Sequence, residues 1–256
     1  MAFSTDFLEE SSIRKLKAQL GKYLVYEYLR DLSVTPDHAQ MEYFAAQMNV
    51  RKRQVAVKLS KGNGCILQAG AMQWMGGDVQ VSTNVQGVGD FFGKMVSAAV
   101  TKETAIKPRY TSNSEGLLVL EPTYKHIIPV DLSEWGGNLM IQDGLFLACD
   151  DSVQLRTEAR TNLSSAALGG EGLFNTTLRG NGVAILESRI PKEELVILEL
   201  NNDVLKIDGP LAIAWSAGLE FTVERTTKTL VGSAASGEGL VNVYRGTGRV
   251  LMCPVS

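Results

Sequence analysis

The sequence predicts an all-β protein: three tandem β-sandwich repeats around a pseudo-threefold axis, preceded by an N-terminal helical extension. Three observations carry this expectation. After residue 38, short runs alternating apolar and polar residues, bounded by Gly, Asn and Asp, replace helical periodicity. Gly116, Gly182 and Gly248 recur at an even spacing of 66 residues, each heading a similar apolar stretch. Twenty-five glycines accompany few helix signals in the body of the chain.

In chain order, residues 1–37 read as the extension. Ile13, Leu16, Leu20 and Leu24 recur every three or four residues, and Asp6 with Glu9 resembles a capping box, so a helix is expected over 6–30. The β-prone run Tyr23-Leu24-Val25-Tyr26 leaves its end open, and Pro36 closes the segment. Such a helix docks on the body, with a partner or membrane-surface role as the alternative. Residues 38–256 read as the triplicated domain, with repeats at about 50–122, 123–188 and 189–256. Val55-Ala56-Val57-Lys58-Leu59 and Leu195-Val196-Ile197-Leu198-Glu199-Leu200 are strand signals, and Asn63-Gly64 and Asn181-Gly182 suit type I′ hairpin turns. Further markers return in the same order. Ala69-Gly70-Ala71-Met72, Asp143-Gly144-Leu145-Phe146 and Asp208-Gly209-Pro210-Leu211 form one triplet. Lys102-Glu103-Thr104-Ala105, Gly170-Glu171-Gly172-Leu173 and Gly237-Glu238-Gly239-Leu240 form another.

Composition narrows the function classes. At 256 residues, 45% hydrophobic and 21% charged, the chain can bury a core without disulfides or metal. The same composition excludes collagen-like, disordered and disulfide-scaffold classes. A net charge of −3 lacks the basic excess of a dedicated nucleic-acid binder. Three cysteines without a CxxC pair, and only His38 and His126, give a zinc site little to draw on, so no metal or cofactor is expected. The first ten residues lack the basic and apolar regions of a signal peptide, and no run of about 18 apolar residues exists, so a cytoplasmic location is expected.

Several residues stand out as candidates. In the segment 87–100, Phe91, Phe92, Met95 and Val96 form an apolar stretch punctuated by glycines, read either as a short helix closing the core or as a partner-contact patch. Glu103, Glu171 and Glu238 are repeat-equivalent carboxylates, read as solvated residues of tight turns or as a cation site facing a common axis. The run Arg51-Lys52-Arg53, with Lys58 and Lys61, reads as a solvated edge strand before it reads as a phosphate contact. Trp74 and Trp215 read as core, and Trp135 as packing over its turn, with a partner contact as the alternative. Cys65 and Cys149 read as buried thiols and His126 as a lone strand histidine. No nucleophile elbow or other catalytic constellation is present, so the chain is not expected to be an enzyme.

The Ala69-Gly70-Ala71-Met72 turn, the glycine-rich apolar stretch, Lys102-Glu103 and the two Gly-Glu-Gly-Leu turns together resemble the altered-inheritance-of-mitochondria family over roughly residues 40–256. That resemblance implies a fold similar to the tryptophan RNA-binding attenuation protein, hence three TRAP-like units in one chain. It implies a role in organelle integrity for mitochondrial members and carries over no catalytic residue. The expected function is a non-catalytic scaffold or binding platform that self-associates or binds another protein, with peripheral membrane contact open to it. The alternative is an RNA- or small-ligand-binding module using clefts between repeats.

Overall fold

The computed structural model describes residues 4–83, 107–159, 174–225 and 240–254. Strands β1 (Arg14–Leu20) and β2 (Tyr23–Tyr28) precede a helix, α1 (Ala39–Gln47), and strands β3 (Arg53–Leu59), β4 (Cys65–Leu67), β5 (Met72–Ser82) and β6 (Arg109–Leu120). Next come β7 (His126–Asp131), β8 (Asn138–Gln142), β9 (Phe146–Asp150), β10 (Gln154–Ala159), β11 (Phe174–Arg179) and β12 (Val183–Ser188). The last four are β13 (Val196–Asp208), β14 (Ala212–Ser216), β15 (Glu220–Arg225) and β16 (Leu240–Met252). The protein is therefore mostly β.

Two sheets hold these strands. One runs β1-β2-β3-β6-β4-β9-β12-β7, with β5 also on β6; the other runs β10-β11-β8-β14-β16-β13, with β15 also on β16. The first sheet curls until its two end strands, β1 and β7, approach one another. The sheets pack face to face in the middle of the chain. Ile128, Phe146 and Leu186 of the first meet Leu139, Ile141, Leu178 and Ala214 of the second in one buried cluster. Alternation makes this possible, since every second residue of Asn138–Gln142 is buried. A second cluster fills the first sheet around Tyr23, Val57, Leu118 and Ile185, and a third gathers Trp215, Tyr244 and Val250 under the last strands. In the third cluster Trp215 lies 5.7 Å from Phe221 and 5.4 Å from Tyr244, ring to ring.

One pairing pattern recurs along the chain. Val119 of β6 stands between Ala56 and Trp74, Ile185 of β12 between Pro129 and Ala148, and Leu251 of β16 between Ile197 and Ala214. Elsewhere along the sheets, Tyr110 faces Cys65, Thr176 faces Ile141 and Asn242 faces Ile207. The three evenly spaced glycines lie at close approaches to neighbouring chain. A Cβ on Gly116 would sit 2.6 Å from a Val79 methyl and 3.5 Å from the Gly76 carbonyl oxygen. On Gly182 it would sit 2.9 Å from Asp150 Oδ2 and 3.1 Å from a Val153 methyl. On Gly248 it would sit 2.8 Å from Ser216 Cβ and 3.1 Å from Leu219 Cγ. Each glycine thus meets residues three apart on a neighbouring strand and its bend. At the second and third crossings the first of those residues also accepts a backbone bond: Val183 N–H to Asp150 Oδ2 at 2.8 Å and Arg249 N–H to Ser216 Oγ at 3.0 Å.

Two expectations are corrected. The N-terminal extension is a β-hairpin over residues 14–28, not a helix over 6–30, and β2 pairs with β3, making it part of the first sheet. The reason is burial: Tyr23–Glu27 are buried on both faces, so β2 shows no alternation, and its apolar residues blend with Leu16 and Leu20 into a false helical period. The helix instead falls at Ala39–Gln47, in the segment expected to be strand. The type I′ turns are not where the Asn-Gly pairs stand. Ser60 bridges Asn63 across Lys61-Gly62, and positive φ falls on Gly62, Gly180 and Gly182 rather than on Asn63 or Asn181.

The crossings make a direct prediction. Gly248→Ala, which must displace Ser216, is expected to cost about 1–3 kcal/mol of stability by overpacking. Gly218→Ala enters open space and is expected to change stability by no more than about 0.5 kcal/mol. Urea unfolding of the two variants measures the difference.

Candidate functional site

The side chains that draw attention in the sequence are mostly committed to structure. Arg53 lies opposite Glu27 in the β2–β3 register. Its guanidinium donates to Glu27 Oε2 through Nε at 3.1 Å and pairs through the terminal nitrogen at 3.0 Å, both residues being buried. The other terminal nitrogen donates to the carbonyls of Arg51 at 3.0 Å and Tyr124 at 3.2 Å. Lys52 is held by Asp31, which with the Ser33 N–H keeps the Asp31 carboxyl below its ordinary value. Lys52 and Arg53 therefore clamp the hairpin and its linker to the body, and neither is the solvated edge residue that the sequence suggests.

Lys22, at the β1–β2 turn, is a second buried cation. Its Nζ lies 2.9 Å from Asp150 Oδ1 and donates to Asn63 Oδ1 at 2.7 Å and to the Gly64 carbonyl. Three acceptors leave it saturated, so the network ties the hairpin tip to β9 and the β3–β4 turn. Tyr23, buried beside it, has its phenol pushed up chiefly by desolvation, then by Cys65 and Asp150.

The thiols are inert. Burial pushes Cys65 up to about 12, and raises Cys149 well above an ordinary thiol for the same reason. They sit on paired strands, but Cys65 faces Asp150 and Cys149 faces Ile66, so the two side chains point to opposite faces. Cys253 is also buried and forms no disulfide among the described residues. Trp135 is buried in a short 3₁₀ turn, Leu132–Trp135, whose start is capped by Asp131 accepting the Ser133 N–H at 2.9 Å. Trp215 is core, and Trp74 packs edge-on against Phe7 at 5.4 Å. Among the described residues, no group of three or more His, Cys, Asp or Glu stands close enough to hold a metal ion. No helix among them is long and apolar enough to cross a membrane. Phe91, Phe92, Met95 and Val96, and the three carboxylates Glu103, Glu171 and Glu238, lie outside the described residues.

Two concave surfaces stand out among the described residues. The smaller, about 330 Å³, is the slot between the end strands β1 and β7, lined by Lys17, Leu20, Arg53, His126, Asp131 and Glu193. Lys17 and Glu193 approach across it to 3.8 Å. His126 is half-buried there, and its pKa is lowered first by desolvation and then by the Arg53 guanidinium. The larger, about 940 Å³, lies between α1 and the chain from Tyr28 to Val34, with Val50, Pro122 and Tyr124 beneath. α1 is an unusual wall. None of its residues is buried, and no side chain caps its start. Met41, Phe44 and Met48 share its outer face and are 61%, 57% and 77% exposed. Tyr43 lines the groove, and Glu42 accepts a hydrogen bond from the Tyr124 hydroxyl at 2.9 Å. Strand-like patterning after residue 38 hid this helix. Its signal was Ala39-Gln40-Met41-Glu42, a run of good helix formers after Pro36.

The slot carries a pH prediction. His126 is held neutral when folded, so between its folded pKa and the ordinary value of 6.5 only the unfolded chain binds the proton. Its share of stability is complete above that window and is lost as pH falls through it. The unfolding free energy is therefore expected to rise as pH rises from the lowered folded value to the ordinary histidine value of 6.5, and to rise less in His126→Gln. An NMR titration midpoint for His126 at or above 6.5 would contradict the reading.

Comparison with known proteins agrees with this fold. An uncharacterized protein of Streptococcus pyogenes serotype M6 is 31% identical over 202 residues, covering 77% of this chain and 79% of the relative. An X-ray crystal structure of a Streptococcus pyogenes protein, 28% identical, matches with a TM-score of 0.58 over 80% of this chain and 89% of that one. The sequence profile of the mitochondrial biogenesis AIM24 family matches residues 46–255, so the chain belongs to that family.

Proposed function

We propose that this chain is a non-catalytic binding platform, built from three TRAP-like sandwich units around a pseudo-threefold axis and working by self-association or by contact with another protein. The repeated pairing of Val119, Ile185 and Leu251, and the matched surroundings of Gly116, Gly182 and Gly248, support the triplication. The non-catalytic part is supported by the state of the candidate nucleophiles, since burial holds Cys65 and Cys149 protonated. A reducing compartment such as the cytoplasm suits three buried cysteines that form no disulfide among the described residues.

The observation that carries the platform reading is α1. A nine-residue helix with no buried residue, presenting Met41, Phe44 and Met48 to solvent, gains little from its own packing. Exposed apolar side chains gathered on one element mark a contact surface. Leu32 and Val50, 72% and 47% exposed, stand on the other side of the helix, in the lining of the groove. The RNA alternative draws less on the basic run than its sequence suggests, because Lys52 and Arg53 are already paired with Asp31 and Glu27. The small-ligand alternative is favoured by one observation, the groove of about 940 Å³ behind α1, which falls within the usual size of ligand sites.

Sedimentation velocity of the full chain tests the platform. The wild type is expected to assemble beyond a monomer as concentration rises, and Met41→Glu with Phe44→Glu to remain monomeric with an unchanged circular dichroism spectrum. A wild type that stays monomeric and binds partners no better than the double variant would end the proposal.

A further inference from the structure

The geometry points to the groove behind α1 as a binding site for a long-chain carboxylate, with Arg51 taking the head group. This rests on the platform reading in its small-ligand form, and it names the ligand class.

The charges lining the groove decide the head group. Lys52 is neutralised by Asp31, and Glu42 is bonded to the Tyr124 hydroxyl. Arg51 differs from both. It lines the groove, makes no ion pair among the described residues, and its Nε is buried without an acceptor. With no ion pair among the described residues, that guanidinium gains a charge-assisted bond from an anion seated in the groove. Arg30, exposed at the same groove, adds a second positive charge. A planar carboxylate suits the guanidinium fork.

The rest of the lining decides the tail. Ile13, Leu29, Leu32 and Val34 on one side and Ala46 and Tyr43 on the other present carbon to the space between them. An acyl chain fills such a space without asking for polar partners, and would cover both the inner face of α1 and the exposed Leu32. The helix then has what it lacks here, an apolar surface to pack on.

Titration of the full chain with 11-(dansylamino)undecanoate, followed by displacement with oleate, tests the site. Saturable one-to-one binding is expected, displaced by oleate and at least about tenfold more weakly by oleyl alcohol, which keeps the tail and lacks the charge. Arg51→Gln is expected to weaken oleate by at least about tenfold, and Ala46→Trp, which narrows the groove without touching the charge, to weaken it as well. Circular dichroism confirms that each variant folds. Met41→Glu with Phe44→Glu, on the outer face of α1, is expected to bind oleate normally, so loss of assembly and loss of ligand are read separately. Absence of saturable binding would overturn the inference, as would equal displacement by oleyl alcohol or an unaltered Arg51→Gln. Cosedimentation with anionic phospholipid vesicles without uptake of monomeric oleate would assign the surface to a bilayer and overturn it too. Loss of oleate binding whenever the chain self-assembles would assign the groove to a second copy, with the same consequence.

Discussion

Three close strand crossings constrain everything else in this protein. At Gly116, Gly182 and Gly248 the chain passes a neighbouring strand with no room for a Cβ. Any larger residue must push that strand aside, and at Gly182 and Gly248 the strand in question, β9 or β14, is almost wholly buried. The crossings are evenly spaced in sequence, and Val119, Ile185 and Leu251 each follow their glycine by three residues into the same kind of three-strand pairing. In the proposed triplication, the core clusters around Tyr23, Ile141 and Trp215 arise from one geometric rule applied three times, filled with different side chains.

The N-terminal hairpin is fastened to this body by ions rather than by hydrophobic area alone. Lys22 with Asp150 and Arg53 with Glu27 are buried pairs whose remaining hydrogen-bonding capacity is taken up by backbone carbonyls and Asn63. Buried pairs of this kind add little net stability, but breaking one partner away is costly, so they specify where the hairpin sits. The Arg53–Glu27 pair, with Lys52 on Asp31, also commits two of the three consecutive basic residues to structure and leaves Arg51 to the groove. What the hairpin leaves uncovered is the far side of the linker, where α1 stands off the sheet and the larger groove opens. The proposed binding surface lies at that gap, where exposed apolar side chains and the Arg51 guanidinium line one groove.

Much of the fold was legible in the sequence, and the reasons differ by element. The all-β class and the even spacing of the glycines were readable because a steric requirement at a crossing admits only one residue type. Cys65, Cys149 and Trp215 were readable as core because apolar neighbours in strands predict burial. The hairpin was not readable as a hairpin. Its inner strand is buried on both faces, and periodicity carries no information about a strand of that kind. The pairing of Arg53 with Glu27 could not be seen because it joins residues 26 positions apart across a register that only the fold sets. The groove was invisible for the same reason: it is made by α1 standing away from residues 28–34, and nothing local in either segment records the gap.

Above all, the proposed triplication requires its three units to be related by one rotation. A high-resolution crystal structure of the full chain measures this directly, by superposing the strands around Gly116 on those around Gly182, and those in turn on the strands around Gly248. A single threefold rotation about one axis is expected to carry each set onto the next, with Val79, Val153 and Leu219 falling together. Two unrelated rotations, or an axis that differs between the two superpositions, would contradict the triplication and the platform built on it.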